Sequence, residues 1–460
     1  TLIAENPGNI MGWMTDNDGK LRIATTSDGV NTSLLYRDTE NEEFKTILTT
    51  NFKESVSPLY FTFDNQSLYV SSNRGRDKSA IYKFDFDTAK ETDLIFEHEQ
   101  VDVYGLMRSE KRKLITGVTY TTDKRQIEFF DEWRENLQKK LEQKLQGVEV
   151  AIADLSKDES KAIIVSYSDR SRGTYYYYNI ENDILSKLAD LSPWINKEDM
   201  AEMKPISYKS RDGLTINGYL TIPVNSNGKN LPVIINPHGG PWARDYWGFN
   251  SEVQFFANRG YAILQMNFRG SVGYGREFWE SSFKQWGKTM QDDITDGVNW
   301  LIKEGIADRD KIAIYGASYG GYATLAGLAF TPDLYACGVD YVGVSNIFTL
   351  LETLPPYWEL GREMMYEMIG NPDTEKDLLK AASPLFHADK IKSPLFIAQG
   401  ANDPRVKQSE SDQIVEALKD RGIEVPYMVK DNEGHGFSNE QNKFEFYQEM
   451  EKFLEQHLQH

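Results

Sequence analysis

The sequence contains a single cysteine, Cys337, among 460 residues. One thiol excludes an intramolecular disulfide and any zinc site built from several cysteines. Basic charge is also scarce: 51 Lys and Arg stand against 70 Asp and Glu, and the formal net charge is −19. Because nucleic-acid backbones and anionic membranes attract a basic face, neither is expected as a partner. No apolar run approaches the ~20 residues of a membrane-spanning helix.

The first residues say little about the compartment of the protein. Residues 1–5 lack the basic start and the apolar core of a signal peptide. An initiator Met is also absent, which is compatible with the removal of a targeting segment. A single cysteine suits a reducing cytosol but does not exclude the periplasm, so the cytoplasm and the periplasm both stay open.

The composition is that of a folded protein, with 40% hydrophobic and 12% aromatic residues. The length suits two or three domains. Up to about residue 195, short aromatic and β-branched runs alternate with Asp, Asn, Gly and Ser clusters, which predicts all-β structure. After about residue 200, strand patterns alternate with helix patterns, which predicts a mostly parallel sheet with helices on its faces. We therefore predict two domains, residues 1–197 and 198–460.

A repeat runs through the all-β region. Strand patterns rich in aromatic residues end in Asp or Asn at positions 38, 85, 131 and 179, with spacings of 47, 46 and 48 residues. A period in the forties with several strands per unit predicts β-propeller blades, and a β-sandwich is the alternative. About four blades fit this length. Because the chain starts abruptly inside strand-like sequence, we expect a partial propeller that is truncated at its N-terminus.

One helix interrupts the β pattern. Residues 131–145 are rich in charge and place Trp133, Leu137, Leu141 and Leu145 four residues apart, which gives a single apolar stripe. We expect this helix to pack on a blade, and a lid or a partner-binding helix is the alternative.

The second region has the pattern of an α/β fold. Apolar runs typical of strands that are covered on both faces occur at residues 231–236, 261–267, 311–315, 394–399 and 425–429. Helical patterns lie at about residues 292–304, 321–330, 408–421 and 440–458. This region is large enough to bury its own core.

The strongest chemical signal is a nucleophile motif. Residues 316–321 read Gly-Ala-Ser-Tyr-Gly-Gly and match G-x-S-x-G, with a predicted strand before them and a predicted helix after them. The glycines are needed because the turn from strand to helix is too tight for side chains near the serine. This turn presents the hydroxyl at the carboxyl end of the sheet, so Ser318 is the candidate nucleophile.

A serine hydroxyl needs a base, and the chain order in this fold is serine, acid, histidine. Asp403 follows directly on the strand at 394–399 and lies at the same edge of the sheet as Ser318; a simple turn before Pro404 is the alternative. His435, which has glycines on both sides, follows the last predicted strand, and a surface histidine is the alternative. The three residues in this order predict a catalytic triad.

The triad predicts acyl transfer. His435 takes the Ser318 proton during attack on a carbonyl and returns it to the leaving group, while Asp403 holds the imidazole. The oxyanion that forms needs hydrogen-bond donors. The amide of Tyr319 is one candidate, and the amide of Gly240 in a His-Gly-Gly-Pro loop is the other. A Gly-Pro turn is the alternative for that loop.

Five motifs together resemble the prolyl oligopeptidase family of serine peptidases, and within it most of all the acylaminoacyl-peptidase branch. These motifs are His238-Gly239-Gly240-Pro241, Asn267–Ser271 with Gly273-Tyr274-Gly275, Gly316–Tyr322, Asn402–Val406 and Gly434–Phe437. The resemblance covers the chain from about residue 200 to the end. It implies an α/β-hydrolase domain beneath a propeller that admits short peptides and excludes folded proteins. It also implies the triad and oxyanion roles assigned above.

The resemblance implies residues that bind substrate as well. Arg405 lies where the family has an arginine near the substrate-binding face; a structural salt bridge is the alternative. The segment 342–348 lies where relatives build the first specificity pocket, and Val344, Ile347 and Phe348 would make this pocket apolar; core packing is the alternative. Two departures from the family are a propeller shorter than its usual seven or eight blades and the lack of an evident acidic pair for a free substrate amine.

Two other functions remain compatible with these observations. A carboxylesterase would use the same triad with a different pocket, and a propeller-based binding protein would have an inactive hydrolase half. The propeller favours the peptidase, because a small ester needs no size filter. The sequence has no metal site, phosphate loop or dinucleotide fingerprint, so no metal and no cofactor are expected. Short peptides are the expected partners, and the oligomeric state is left open, a homo-oligomer included.

Overall fold

The computed structural model describes residues 2–459. Its N-terminal part contains four separate sheets, one after another along the chain. Their strands are β1 (Ile10–Thr15), β2 (Leu21–Ser27), β3 (Asn31–Tyr36) and β4 (Lys45–Asn51); β5 (Val56–Phe61), β6 (Leu68–Ser72), β7 (Ala80–Asp85) and β8 (Lys90–Phe96); β9 (Val103–Ser109), β10 (Leu114–Thr121) and β11 (Arg125–Phe129); and β12 (Glu149–Leu155), β13 (Lys161–Ser168), β14 (Ser171–Asn179) and β15 (Ile184–Asp190).

The sequence repeat falls on one strand of each sheet. Its aromatic patterns lie in or directly after β3, β7, β11 and β14, the third strand of each unit. Successive sheets share apolar cores: Leu34 of the first packs with Leu68 of the second, and Ile81 of the second with Val118 of the third. Antiparallel sheets that pack face to face in chain order are blades, as the period predicted.

The interrupting helix packs on the fourth sheet. Helix α1 (Glu132–Lys144) begins at the capping residue Asp131, whose side chain accepts a hydrogen bond from the Arg134 amide. Its buried residues Leu137 and Leu141 join a cluster with Ile164 of β13. The helix therefore serves as packing for a blade, and its charged face points to solvent.

The C-terminal part is built on one eight-stranded sheet, in the order β16-β17-β19-β18-β20-β21-β22-β23. Pairing is antiparallel from β16 to β19 and parallel from β19 onward. The bounds are β16 (Met203–Lys209), β17 (Thr215–Thr221), β18 (Leu231–Ile235), β19 (Ala262–Asn267), β20 (Ala307–Ala317), β21 (Cys337–Tyr341), β22 (Leu395–Gly400) and β23 (Tyr427–Lys430).

Helices cover both faces of this sheet. One apolar cluster includes residues of α4 (Thr289–Lys303), α5 (Tyr319–Phe330) and α9 (Gln408–Lys419), and a second on the other face includes residues of α2 (Ser251–Asn258) and α10 (Glu440–Leu458). The fold class predicted from the sequence, an α/β-hydrolase preceded by propeller blades, is thereby confirmed. The helices are α2 (Ser251–Asn258), α3 (Arg276–Glu280), α4 (Thr289–Lys303), α5 (Tyr319–Phe330), α6 (Ile347–Glu352), α7 (Arg362–Met368), α8 (Lys376–Ala382), α9 (Gln408–Lys419) and α10 (Glu440–Leu458), with 3-10 turns at Lys197–Asp199, Pro356–Gly361 and Pro384–Lys390.

The loop before α3 joins the two parts of the chain. The Gly275 amide donates to Oδ2 of Asp102, which directly precedes β9, at 3.0 Å. The Glu277 amide donates to Oδ1 of Asp77, in the loop between β6 and β7, at 2.7 Å. A Cβ on Gly275 would lie 2.7 Å from Asp77 Oδ1 and 2.8 Å from Lys78 Nζ, so a side chain at this position would require these two side chains to move. The Gly-Tyr-Gly motif thus forms an interdomain contact. Between residues 2 and 459, no helix has the length and apolar character needed to cross a membrane.

Candidate active site

The candidate nucleophile lies on a strained turn between β20 and α5. Ser318 has φ +59° and ψ −118°, a conformation that is costly for a residue with a Cβ. Two close backbone approaches hold the turn: a Cβ on Gly316 would lie 2.5 Å from the Gly320 backbone, and one on Gly320 would lie 2.3 Å from the Pro237 oxygen. These glycines are required by space, as the motif predicted.

The carboxylate of the candidate acid, Asp403, is buried, and each of its two oxygens makes a different contact. Asp403 Oδ1 accepts hydrogen bonds from the amides of Arg405 at 2.8 Å and Val406 at 2.9 Å, which fixes the carboxylate in its loop. Oδ2 lies 2.7 Å from Nδ1 of His435. The side chain of Asp403 is 0% exposed and that of His435 is 14% exposed, so this charge-assisted contact is shielded from water.

The loop that carries the candidate base, His435, is held by the carboxylate of Glu433. The Glu433 carboxylate is buried and accepts hydrogen bonds from the Ser438 and Asn439 amides, both at 2.8 Å, and from Asn442 Nδ2 at 2.7 Å. Among residues 2–459, no hydrogen bond joins His435 to Ser318. Catalytic hydrogen bonds are often long before substrate binds, so its absence is compatible with a shared catalytic role for the two residues.

The oxyanion candidates lie on two sides of the serine. Tyr319 is the first residue of α5, where backbone amides have no partner within the helix. Gly240 has φ +127° and lines the same cavity as Ser318 and Tyr319. Gly239 lies against the same turn, since a Cβ there would be 3.1 Å from the Ala317 oxygen and 3.5 Å from the Ser318 Cβ.

His238 orients the loop that carries Gly240, a role that the sequence reasoning missed. Its Nδ1 lies 2.7 Å from the Gly239 oxygen and its Nε2 lies 2.9 Å from Ser271 Oγ. Because a carbonyl oxygen only accepts, Nδ1 carries the proton. The single proton of the Ser271 hydroxyl is shared between two acceptors, Nε2 of His238 and the Phe268 oxygen, which lies 2.7 Å from Oγ. The Gly239 carbonyl and the Gly240 N–H belong to one peptide plane and point in opposite directions. Burial lowers the pKa of His238 to about 4, which keeps this ring neutral at neutral pH.

We expect replacement of His238 by phenylalanine to lower kcat by about 10–100-fold with little change in KM. The substitution keeps the stacking on Phe268 (ring centroids 4.4 Å apart) but removes the hydrogen bond that orients the Gly239–Gly240 peptide. An oxyanion donor acts mainly in the transition state, so kcat should carry the loss. His98→Phe is the matched control, since His98 also lies against an aromatic ring, that of Tyr120 (ring centroids 4.7 Å apart), but in the loop between β8 and β9. Steady-state kinetics of both variants test this; equal losses would contradict it.

A cavity of about 380 Å³ opens beside Ser318. Its floor is formed by buried residues, and its rim by exposed apolar residues of the hydrolase part and of the first blade. Floor residues are Trp286, Tyr319, Val344, Leu350, Ile369 and Val406, and rim residues include Met11, Tyr357 and Leu360.

The structure places two of the four predicted substrate-binding residues at the cavity and two away from it. Val344 and Arg405 line the cavity. The Arg405 guanidinium lies 6.0 Å from the ring centre of Trp358, and the side chain is exposed. Ile347 and Phe348 are not among the lining residues. They begin α6: Ile347 points into the hydrophobic core, and Phe348 packs edge-on against Phe386 with ring centroids 6.1 Å apart.

The sequence reasoning also missed most of the cavity wall. Residues Tyr357, Trp358, Leu360, Met364 and Met365 all line it. The available signal was the unusual density of aromatic and methionine residues between 357 and 366 in a stretch without a strand pattern. Trp242 and Trp286 line it as well, and neither belongs to a motif that would have indicated this.

A buried carboxyl lies beneath the elbow. Asp340 is 0% exposed, and within residues 2–459 no side chain donates a hydrogen bond to it; the polar group that faces its carboxyl is the backbone of Gly343. Asp340 fills the space that side chains at Gly321 and Gly343 would need, since a Cβ there would lie 2.3 Å and 2.1 Å from Asp340 Oδ1. Burial raises the pKa of Asp340 to about 7.

Replacement of Asp340 by asparagine should therefore change the pH dependence of stability. The unfolded chain releases this proton near 3.8 and the folded chain near 7, so the wild type loses stability as pH rises through this window. The asparagine amide of the variant does not titrate. The free energy of unfolding of the variant, relative to that of the wild type, should therefore rise by on the order of 3 kcal/mol between pH 4 and pH 7. Urea unfolding at both pH values measures this. Asp333→Asn at an exposed site is the control, and a pH-independent difference would refute the expectation.

A serine on a strand-to-helix elbow of this sheet defines an α/β-hydrolase, and here it is joined to propeller blades. Residues 247–460 match the Prolyl oligopeptidase family. Dipeptidyl aminopeptidase BIII of Pseudoxanthomonas mexicana is 38% identical, and the match covers 100% of this chain and 68% of that protein. The acylamino-acid-releasing enzyme of Arabidopsis thaliana is 31% identical over 48% of this chain and 29% of its own length.

The chain therefore belongs to the prolyl oligopeptidase family and is a serine-type peptidase, as its motifs predicted. It spans about two thirds or less of the length of these relatives. Among solved structures, a Mycobacterium tuberculosis puromycin-hydrolyzing peptidase superposes with a TM-score of 0.82 at 21% identity, over 99% of this chain and 71% of the other. At that identity the match supports the fold.

Proposed function

We propose that Ser318, His435 and Asp403 are the catalytic triad of an exopeptidase that removes short units from the N-terminus of peptides. The observation that carries this proposal is the shielded 2.7 Å contact between Asp403 and His435. Ser318, on its strained elbow, lines the same cavity as Arg405 and Val406, the two residues whose amides donate to Asp403. Asp403 holds the His435 tautomer whose Nε2 accepts the serine proton.

The reaction follows from these positions. Ser318 Oγ attacks the scissile carbonyl while His435 takes its proton, and the amides of Tyr319 and Gly240 stabilise the oxyanion. His435 then protonates the leaving amine, and water releases the acyl group from Ser318 in the reverse sequence. The floor of the cavity suits an apolar side chain next to the cleaved bond. Arg405, on the exposed side, suits a backbone carbonyl that precedes this residue.

The two curated relatives differ by name in the N-terminus that they release, which is a dipeptide in one and an acylated amino acid in the other. Arg405 is the one charged residue among those that line the cavity between residues 2 and 459. This lining supports a neutral, blocked N-terminus, whereas the match over the whole chain supports a free amine. We therefore propose both as candidates.

Three substrates distinguish the candidates: acetyl-Phe anilide, free-amine Ala-Phe anilide and a p-nitrophenyl ester. Turnover of either anilide, lost in Ser318→Ala, would support the exopeptidase and assign its branch. Turnover of the ester alone would replace the peptidase by a carboxylesterase that uses the same triad. If Ser318→Ala keeps its activity on the anilides, the nucleophile assignment fails.

A further inference from the structure

The rim of the cavity is shared by two distant parts of the chain. One part is the segment 356–368, called here the strap, which comprises the 3-10 turn Pro356–Gly361 and α7. The other is the first blade, which contributes Met11 and Gly29. A substrate that fills the cavity would touch both parts, because the two line one continuous space of about 380 Å³.

The blade contacts the strap backbone through Gly29. This glycine lies in the turn between β2 and β3 with φ +96°, and a Cβ there would lie 1.7 Å from the Leu360 oxygen and 2.1 Å from its carbonyl carbon. Real Cβ atoms do not approach backbone atoms this closely, so a methyl group at position 29 would displace the strap or the turn.

Besides the contact with Gly29, the first turn of the strap is held by a contact within the strap, the ion pair of Glu359 with Arg362 at 2.6 Å. Among Pro356–Gly361 no residue is buried, and Leu360 is 63% exposed. The turn of the blade is rigid by comparison, because Asp28 Oδ1 accepts hydrogen bonds from the amides of Val30 at 2.9 Å and Asn31 at 2.6 Å. A displacement at Gly29 would therefore move the strap rather than the blade.

The strap in turn positions Arg405. Trp358 lies in the same 3-10 turn as Leu360 and faces the Arg405 guanidinium at 6.0 Å. The described structure shows no ion pair for Arg405, so this ring is a main constraint on the guanidinium. Movement of the strap would shift Trp358 and loosen the arginine.

We propose that Gly29 is a positioning residue for substrate specificity: by docking on Leu360, the first blade sets Trp358 and Arg405 for the residue that precedes the one next to the cleaved bond. The inference rests on the proposed function. The consequence is selectivity for the length of the substrate. A substrate that has this preceding residue gains transition-state stabilisation from Arg405, and a substrate that lacks it gains less.

The test compares Gly29→Ala with Gly19→Ala. Gly19 also lies in a turn of the first sheet, at φ +79°, but a Cβ there meets nothing within 4 Å. Both substitutions carry the strain of a positive φ, and only the first meets the strap. Anilides of Phe and of Ala-Phe are used in the N-terminal form, free or acetylated, that the wild type cleaves faster. We expect kcat/KM for Ala-Phe relative to Phe to fall about tenfold in Gly29→Ala, mainly through KM, and to stay unchanged in Gly19→Ala.

Two results would overturn the inference: equal ratios in the two variants, or losses in Gly29→Ala that are the same for both anilides. If the wild type cleaves neither anilide, the proposed function fails, and binding then tests the inference alone. Acetyl-Ala-Phe amide should bind Ser318→Ala about ten times more tightly than Ser318→Ala/Gly29→Ala in calorimetry. Equal affinity, or no binding to either protein, would refute the contact as a specificity determinant.

Discussion

Replacing Ser318 by alanine is expected to lower kcat for peptide hydrolysis by about 10⁶-fold while the protein stays folded. Loss of the nucleophile removes the covalent pathway and leaves only the contribution of binding and oxyanion donors. The elbow should persist, because it is held by Gly316, Gly320 and a 2.9 Å hydrogen bond from the Ser318 amide to the Tyr341 oxygen. Steady-state turnover and circular dichroism measure the two effects. Residual activity above about 1% would indicate a different nucleophile.

Ser318→Gly provides the matched variant. Alanine keeps a Cβ, which makes the φ of +59° at this position costly. Glycine has no Cβ and adopts this φ without that cost. Both variants should be inactive, and the glycine variant should be more stable than the alanine variant by about 1 kcal/mol, after the entropy of the more flexible unfolded chain is subtracted. Equal midpoints of thermal unfolding would show that the elbow stores no strain at this residue.

Replacing Asp403 by asparagine is expected to lower kcat by about 10⁴-fold with little loss of stability. The asparagine oxygen can still accept from the amides of Arg405 and Val406, but an NH₂ group then faces His435 Nδ1. A donor in that place favours the tautomer with the proton on Nε2, which cannot accept the serine proton. Kinetics at pH 8, well above the ordinary pKa of a histidine side chain, measure the loss.

Asp403→Ala separates this effect from folding. It should lose a similar amount of activity and, in addition, about 1–3 kcal/mol of stability, because two amides lose their acceptor. Activity of Asp403→Asn above about a tenth of the wild type would mean that another carboxylate orients His435.

The fold was largely predictable because its signals are local. The repeat of aromatic strand patterns identified one strand in each of the four sheets, and the predicted helices at 321–330 and 408–421 lie within two residues of α5 and α9. The antiparallel strands β16 and β17 were not among the predicted ones. In β16 the exposed Lys204, Ser207 and Lys209 interrupt the apolar residues, and β17, although mostly buried, is interrupted by Asn217 and Gly218. Neither strand therefore has the long apolar run of a doubly covered strand.

The residues of the candidate site were predictable where a residue type suited to the reaction occurs in the chain order expected of this fold. Asp403 and His435 contact each other across 32 positions, and their loops follow strands that end at the same edge of the sheet. Ile347 and Phe348 show the limit of this reasoning: proximity to the pocket in sequence does not say which way the first turn of a helix faces. The pairing of Gly29 with Leu360 joins residues with no local signal, and only the folded chain reveals it.

The solitary cysteine gives this protein a built-in reporter for the opening of its catalytic half. Cys337 is 0% exposed, begins β21 and pairs with Ala313 of β20, and burial raises the pKa of its thiol to about 12. The side chain lies in the apolar cluster that includes residues of α2 and α10, so a thiol reagent reacts only when this cluster opens. The rate of alkylation therefore reports how often this position becomes exposed. Because the chain has no other cysteine, no thiol in the blades contributes to the signal and no cysteine has to be introduced.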